Sequence, residues 1–347
     1  MTTLVEHFDA AITALEAQDI EGAKQARADA SKAGTSSDHA ALRYLDFMFE
    51  WLDGDELDEE QVMDSLGSAE ALLDDAVALD EAKLAARIVL DLADILTSVG
   101  MVDEAEHALR GLGERSDLDP NDAFEALAAR VEIVLDFHED PEQAGEILAG
   151  VAESFRTDPR YISLQASVLM ELDKGEEALE MLREAVAAGG DAELRYQLGV
   201  MLRAAGKPDE AIDHLLAVRT RDLVVHEVDA DAAVGTDQAA ELGRMLEEVI
   251  DTLPDPVIKR VASAAIRVER WASEAAIRAG ADPRGTVHFE GQPDREGAED
   301  GHVDAIVIHY DVVLVQIDDD EDIVEQLALG LVEEFDRFFD LELIPGM

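Results

Sequence analysis

Apolar residues recur at helical spacing through the first two thirds of the chain, in units of similar length. The segment Leu92–Leu109, LADILTSVGMVDEAEHAL, aligns with Leu198–Leu215, LGVMLRAAGKPDEAIDHL, and shares a glycine and an Asp-Glu-Ala step at the same offsets. Leu127–Leu148 and Leu164–Leu182 repeat the pattern more loosely. Each unit contains two apolar-periodic stretches separated by a turn, so the pattern predicts a series of helical hairpins.

A small residue opens the second helix of each unit. The four positions, spaced 39, 34 and 33 residues apart, are Ala105, Ala144, Ala178 and Ala211. Small residues at a helix contact let two helices approach closely, while larger ones fill the gaps between layers. This pattern resembles the tetratricopeptide repeat, a helix-turn-helix unit of about 34 residues. A single hairpin cannot bury its apolar face, so the resemblance implies stacked units.

The resemblance implies a right-handed α-solenoid of about five or six hairpins over residues 1–220. Ala11–Ala26 looks like a degenerate first unit. Ala41–Leu66 is helical by periodicity but matches the repeat poorly. We expect the aromatic residues of this segment to pack in the core rather than to bind a ligand; they are Tyr44, Phe47, Phe49 and Trp51.

The periodicity changes after residue 220. Residues 221–236 mix a β-branched run with Asp, Gly and Thr, which predicts a linker. Residues 237–347 alternate between helical and strand patterns, which predicts a small α+β domain. Its strongest strand signal is Val303–Asp318, interrupted near Asp311, and an acid-capped helix follows it.

The order of these segments resembles the minimal zincin-like metallopeptidase family, over roughly Thr236–Glu342. In that family a helix ending in Leu-Pro, a strand, a turn and a later strand precede a helix that carries HExxHxxGL. The matching segments are Val249–Arg270 for the first helix and strand, Arg284–Pro293 for the turn, Val312–Gln316 for the later strand and Leu327–Glu342 for the last helix.

The zinc ligands of the family do not carry over. The resemblance puts the first histidine on Glu333, the second on Arg337, the general base on Glu334 and the glycine on Asp340. An arginine offers only protonated N–H groups, and a base without a zinc-bound water has nothing to activate. We therefore expect no catalytic residue, no metal and no cofactor. Glu333 and Arg337 lie four residues apart, which predicts an ion pair on the helix surface.

Three histidines of this domain leave an alternative open. His288, His302 and His309 could rebuild a metal site, although none has the i, i+4 spacing of a helical ligand pair. The simpler interpretation is that they are partly exposed residues of strands and loops. The acidic run Asp318–Asp322 is explained in the same way, as a charge cluster at the start of the last helix.

Charge and composition restrict the function further. The chain of 347 residues has 81 acidic and 27 basic residues and a net charge of −54, yet it is 48% hydrophobic. An evenly acidic surface on an ordinary core is typical of a salt-rich cytoplasm, such as that of a halophilic archaeon. No basic surface is available for phosphate backbones, so nucleic-acid binding is not expected. No cysteine and no long apolar run occur, which favours a cytoplasmic protein without a membrane span.

These features together predict a non-enzymatic scaffold that holds a protein or peptide partner in a repeat groove. The resemblance to tetratricopeptide repeats implies that the groove-facing positions include Arg160, Ser163, Ser167, Tyr196, Val200 and Arg203. The two arginines could bind an acidic peptide or its terminal carboxylate, although pairing with the chain's own acids is the simpler interpretation. The alternatives are a zinc-dependent peptidase with a displaced metal site and a structural subunit of a larger complex.

Overall fold

The computed structural model describes residues 3–52, 59–230, 232–253, 255–293, 301–317 and 322–339. The chain divides into two compact units, Met1–Met181 and Leu182–Met347. We call them the first unit and the second unit. The boundary falls inside a helix of the repeat region, so the last two repeat helices belong to the second unit.

Helices follow one another from the N-terminus to residue 225. They are α1 (Leu4–Glu16), α2 (Ile20–Lys32), α3 (Ala40–Leu52), α4 (Glu59–Val77), α5 (Ala82–Ser98), α6 (Val102–Gly113), α7 (Pro120–Asp136), α8 (Pro141–Ala149), α9 (Pro159–Glu171), α10 (Gly175–Ala187), α11 (Ala192–Ala204) and α12 (Pro208–Val225). A 3₁₀ turn, Glu153–Phe155, precedes α9.

Asp-Pro steps start three consecutive helices of the repeat region. The carboxylates of Asp119, Asp140 and Asp158 accept hydrogen bonds from backbone amides in the first turns of α7, α8 and α9. The proline that follows each aspartate has no N–H to leave unsatisfied, and its fixed φ suits the first helical position. The sequence therefore defines where these helices begin, independently of their packing.

The helices pack as the repeat pattern predicts. In the first unit α1 contacts α2, α3 contacts α4, α5 contacts α6, and α7 contacts α8. Helix α7 also contacts both α5 and α9, so the first helices of successive hairpins are neighbours. The four small residues are completely buried; they are Ala105, Ala144, Ala178 and Ala211. This confirms the prediction that they allow close helix contacts.

The aromatic residues of α3 were predicted to lie in the core. Tyr44 and Phe47 are buried, and Phe49 and Trp51 are partly buried against the same cluster. Phe8 of α1 packs on Tyr44 with 5.8 Å between the ring centroids. The structure confirms this prediction.

The second unit continues with a small α+β arrangement. Its elements are α13 (Thr236–Thr252), α14 (Asp255–Val261), β1 (Ala265–Glu269), α15 (Glu274–Ala279), β2 (Val287–Gln292), β3 (His302–His309), α16 (Tyr310–Val315) and α17 (Asp322–Phe339). Strand β3 is central; it pairs in parallel with β1 and antiparallel with β2. Helices α13 and α17 share one core with the sheet, which includes Leu246, Ile306 and Phe335.

The strand predicted at Val312–Gln316 is wrong, because β3 ends at His309 and most of the following segment is α16. Asp311 causes the change of direction. Its amide donates to the Arg270 carbonyl at 3.1 Å, and the Arg270 guanidinium donates to both of its carboxylate oxygens at 2.6 and 2.7 Å. Val312 and Val313 are then buried within a helix. Burial has outweighed their preference for a strand.

The region of the predicted linker, 221–236, begins as helix, because α12 extends to Val225. The described residues between α12 and α13 have no helix or strand. Helix α12 contacts α15, so the last repeat hairpin packs against the α+β elements within the second unit. The division of the chain at residues 221–236 remains a prediction.

Candidate functional site

A groove lies in the first unit, where the first helices of three successive repeats come together. It has a volume of about 270 Å³, and α5, α7 and α9 contribute to its walls. Its apolar surface includes Leu90, Ala129 and Phe137. We call it the repeat groove.

Phe137 contributes an aromatic ring to the lining of the repeat groove. It caps the C-terminal end of α7, where its amide donates to the Ile133 carbonyl at 3.0 Å. Because α7 ends there, the ring is not covered by a following turn, and the residue is 50% exposed. The exposed ring and the partly exposed Leu90 and Ala129 together give the groove an apolar surface.

Arg160, the basic residue of the repeat groove, is bound by the chain itself. Its guanidinium forms ion pairs with Glu125 and with both carboxylate oxygens of Glu132, the latter at 3.1 Å. These contacts join α9 to α7. Of the predicted positions in the first unit, Arg160 lines the groove, whereas Ser163 and Ser167 are half-buried outside its lining.

The predicted positions in the second unit contact a turn of the same chain. The Tyr196 hydroxyl donates to Asp282 Oδ2 at 2.9 Å. Arg203 donates to the carbonyls of Gly280 and Ala281 at 2.9 and 3.2 Å. Burial and the Asp282 carboxylate raise the pKa of Tyr196, and burial lowers the pKa of Arg203. Val200, by contrast, is exposed on α11.

Arg284 lies next to the same turn and contacts both α11 and α12. Its guanidinium stacks over the Tyr196 ring, 4.7 Å from the centroid. It also donates to Asp222 at 2.8 Å and to Glu193 at 2.6 Å. We call the set of Tyr196, Arg203, Asp222, Asp282 and Arg284 the turn clamp. Sequence reasoning missed its last three members, because no local pattern links them to α11.

A second cavity, of about 510 Å³, lies between α11, the segment after α15, and α17. We call it the helix cleft. Glu333 lines the cleft with part of its side chain exposed. Partial burial of its carboxylate, followed by the nearby charges of Asp282 and Glu334, raises its pKa. Gly330 lets α17 approach the strand closely, because a Cβ there would overlap the Thr286 hydroxyl.

The predicted ion pair between Glu333 and Arg337 is wrong. Arg337 instead donates through Nε to Glu334 Oε2 at 2.6 Å and makes a second contact with the other oxygen. Glu334 is buried and also accepts the Phe289 amide at 2.6 Å. Glu333, Glu334 and Arg337 all line the cleft, but only Glu334 is buried and bonded to β2. The Glu334 carboxylate therefore ties α17 to β2.

His288 and His309 are buried, so the expectation that they are partly exposed is wrong. A carbonyl can only accept, so His309 Nδ1–H donates to the Gly285 carbonyl at 2.6 Å. His309 Nε2 is then the acceptor for His288 Nδ1–H at 2.9 Å. His288 Nε2 is left buried, without a hydrogen-bond partner among the described residues.

Both imidazoles are held neutral. Burial, followed by the charges of His309, Arg337 and Arg267, lowers the pKa of His288 to about 3. Burial lowers the pKa of His309 to about 4. His302 is exposed and lies 3.6 Å from Asp304.

The described residues contain no group of three His, Asp or Glu side chains placed to hold a metal ion. Asp340 and Leu341 lie beyond the described residues, and so does the acidic run except for the backbone of Asp322.

Comparison with known protein families supports the repeat architecture. Residues 59–162 and 148–228 match the family described as Tetratrico peptide repeat. The matched residues include the whole lining of the repeat groove and end before α13. Together with the buried small residues, the match supports tetratricopeptide repeats in this part of the chain.

A comparison with curated proteins finds no match to the chain. Among the helices that the structure describes, none combines the length and the apolar character that a membrane span requires.

Proposed function

We propose that the chain is a non-enzymatic interaction protein that holds a protein partner in the repeat groove. The observation that carries the proposal is the groove itself, formed by first helices of successive tetratricopeptide repeats and containing the half-exposed Phe137. Stacked repeats present such extended surfaces because each hairpin contacts only its neighbours. Repeats of this kind are used for protein interactions.

We propose further that the α+β elements serve as a fold without catalysis. Glu334 supports this, since its carboxylate is occupied by a strand amide and by Arg337. An arginine at a ligand position cannot donate a lone pair to zinc. The likeness to zincin-like metallopeptidases is part of this proposal, as is a salt-rich, archaeal-type cytoplasm for so acidic a chain.

Elemental analysis and a chelator-controlled peptidase assay test the absence of catalysis. We expect no stoichiometric zinc and no activity that a chelator removes. Zinc that is lost when His288, His302 or His309 is replaced would instead establish a displaced metal site.

Affinity capture in molar KCl tests the interaction role, using the full chain, Phe137→Ala and a matched control. Leu52→Ala is the control, because Leu52 is 49% exposed at the end of α3 and does not line the groove. We expect the wild-type chain and the control to retain the same partner and Phe137→Ala to lose it. Equal capture by all three proteins would contradict the proposal.

A further inference from the structure

The charges of the repeat groove select the sign of its partner. Four carboxylates and one guanidinium line it: Asp94, Glu125, Glu132, Asp136 and Arg160. The guanidinium is already shared between two of the carboxylates. An acidic segment would therefore meet an excess of negative charge, on a chain whose net charge is −54.

Two of these carboxylates have no bonding partner among the described residues. The carboxylates of Asp94 on α5 and Asp136 on α7 form no hydrogen bond or ion pair with a residue that the structure describes, and both residues are exposed. Asp136 is exposed to solvent, and partial burial of its carboxylate raises its pKa. A carboxylate in this position gains more from a cationic partner than a fully hydrated one does.

The size of the groove suits one or two side chains of a partner. Its volume of about 270 Å³ falls just below the range of roughly 300–1,000 Å³ that is typical of small-molecule sites. Leu90 and Ala129 are partly exposed there, next to the half-exposed Phe137. A large apolar side chain can pack against these groups, and a cation near the ring face gains a further attraction.

We propose that the repeat groove binds an exposed segment of a protein partner in which a lysine or arginine stands beside a large apolar residue. The cation pairs with Asp136 and Asp94, and the apolar side chain packs on Phe137. This inference rests on the proposed function, since it names the chemistry of the partner at the same groove.

The test is selection from a displayed library of short random peptides on the full chain in molar KCl. At about 1 M salt the Debye length is about 3 Å, so general attraction to the acidic surface is screened and contact pairs remain. Enriched peptides are then synthesised and titrated against four variants. Asp136→Asn and Phe137→Ala alter the groove, whereas Glu146→Gln and Leu52→Ala make matched changes at exposed positions outside its lining.

We expect enriched peptides to combine Lys or Arg with a large apolar residue. Phe137→Ala should weaken their binding about tenfold and Asp136→Asn about threefold, and the two controls should leave it unchanged. Enriched acidic or uncharged peptides that still require Phe137 would overturn the inference and leave the proposed function standing. Equal weakening by Asp136→Asn and Glu146→Gln would also overturn it. Peptides insensitive to both groove variants, or no enrichment, would count against the inference and the proposed function together.

Discussion

Replacing Arg284 with alanine tests the turn clamp, which joins the last repeat hairpin to the α+β elements of the second unit. Asp222 on α12 is 6% exposed, and Arg284 is its charge partner. Truncating Arg284 leaves this carboxylate buried and unpaired. It also removes the guanidinium from the Tyr196 ring.

The contacts of Arg284 set the expected loss of stability. Breaking a buried ion pair by removing one partner costs about 3–5 kcal/mol. We expect a smaller cost for Arg284→Ala, because the Arg284 side chain is 26% exposed and water can hydrate part of the Asp222 carboxylate once the arginine is removed. The Glu193 side chain is 61% exposed, so its pair with Arg284 adds about 0–1 kcal/mol. We expect Arg284→Ala to lower the free energy of unfolding by roughly 2–4 kcal/mol.

Urea unfolding in molar KCl measures this change, with the fluorescence of Trp271 as the probe. Trp271 is buried in the second unit, and a Trp51→Phe background removes the other tryptophan of the chain. Arg244→Ala is the control, because the Arg244–Glu248 pair lies on the surface of α13 and contributes about 0–1 kcal/mol.

Arg284→Lys should fall between the wild type and Arg284→Ala, because a single ammonium cannot reproduce a planar fork that also stacks on a ring. Equal unfolding midpoints for Arg284→Ala and Arg244→Ala would refute the reasoning. The clamp would then be a surface contact of no energetic consequence.

Four other predictions concern the rest of the chain. His288 and His309 stay neutral in the folded chain, whereas both bind protons in the unfolded chain below about pH 6.5. As the pH falls from about 6.5 to about 4, each histidine should therefore lower the free energy of unfolding by about 1.4 kcal/mol per pH unit. Ring NMR signals of both that titrate near pH 6.5 would contradict this. In the urea assay, Glu334→Ala should lower the free energy of unfolding by about 3 kcal/mol, because its carboxylate binds a strand amide. Glu333→Ala should leave this free energy unchanged or raise it, because it removes repulsion from Asp282 and Glu334. A larger loss for Glu333→Ala than for Glu334→Ala would be inconsistent with the observed contacts. Helicity and the thermal midpoint, followed by circular dichroism, should rise steeply as KCl increases to molar concentrations, and a flat response would argue against halophilic adaptation. Limited proteolysis should cut between residues 226 and 235, with both fragments co-eluting in size exclusion because the clamp joins them; cuts scattered through the repeat helices would oppose this division.

The repeat hairpins could be predicted from sequence because their determinants are local. Helical periodicity, Asp-Pro starts and small residues such as Ala144 and Ala211 all lie within one unit, and they agree with the packing observed. The resemblance between units then specifies which faces meet.

The turn clamp could not be predicted in this way. Tyr196 and its partner Asp282 lie 86 residues apart, in elements with no shared periodicity. Tyr196 and Arg203 were predicted to face a partner, whereas in the structure they contact residues 280–282 of the same chain.

The remaining errors arise from burial that the sequence does not display. Arg337 has acidic neighbours both three and four residues before it, and only the contact of α17 with β2 decides between them. Val312 and Val313 read as a strand, yet Asp311 and Arg270 turn the chain into a helix there. Isolated histidines also give no indication of burial until β2 and β3 are paired.

Site-specific photo-crosslinking in the source cells tests the central claim most directly. A photoreactive amino acid is placed at Phe137 in the repeat groove, at Leu329 in the helix cleft, or at Leu52 outside both. All three side chains are substantially exposed, so the reactive group is accessible in each case. The account predicts a protein partner crosslinked from position 137 and absent from positions 329 and 52. A partner crosslinked from position 329, or none from position 137, would contradict it.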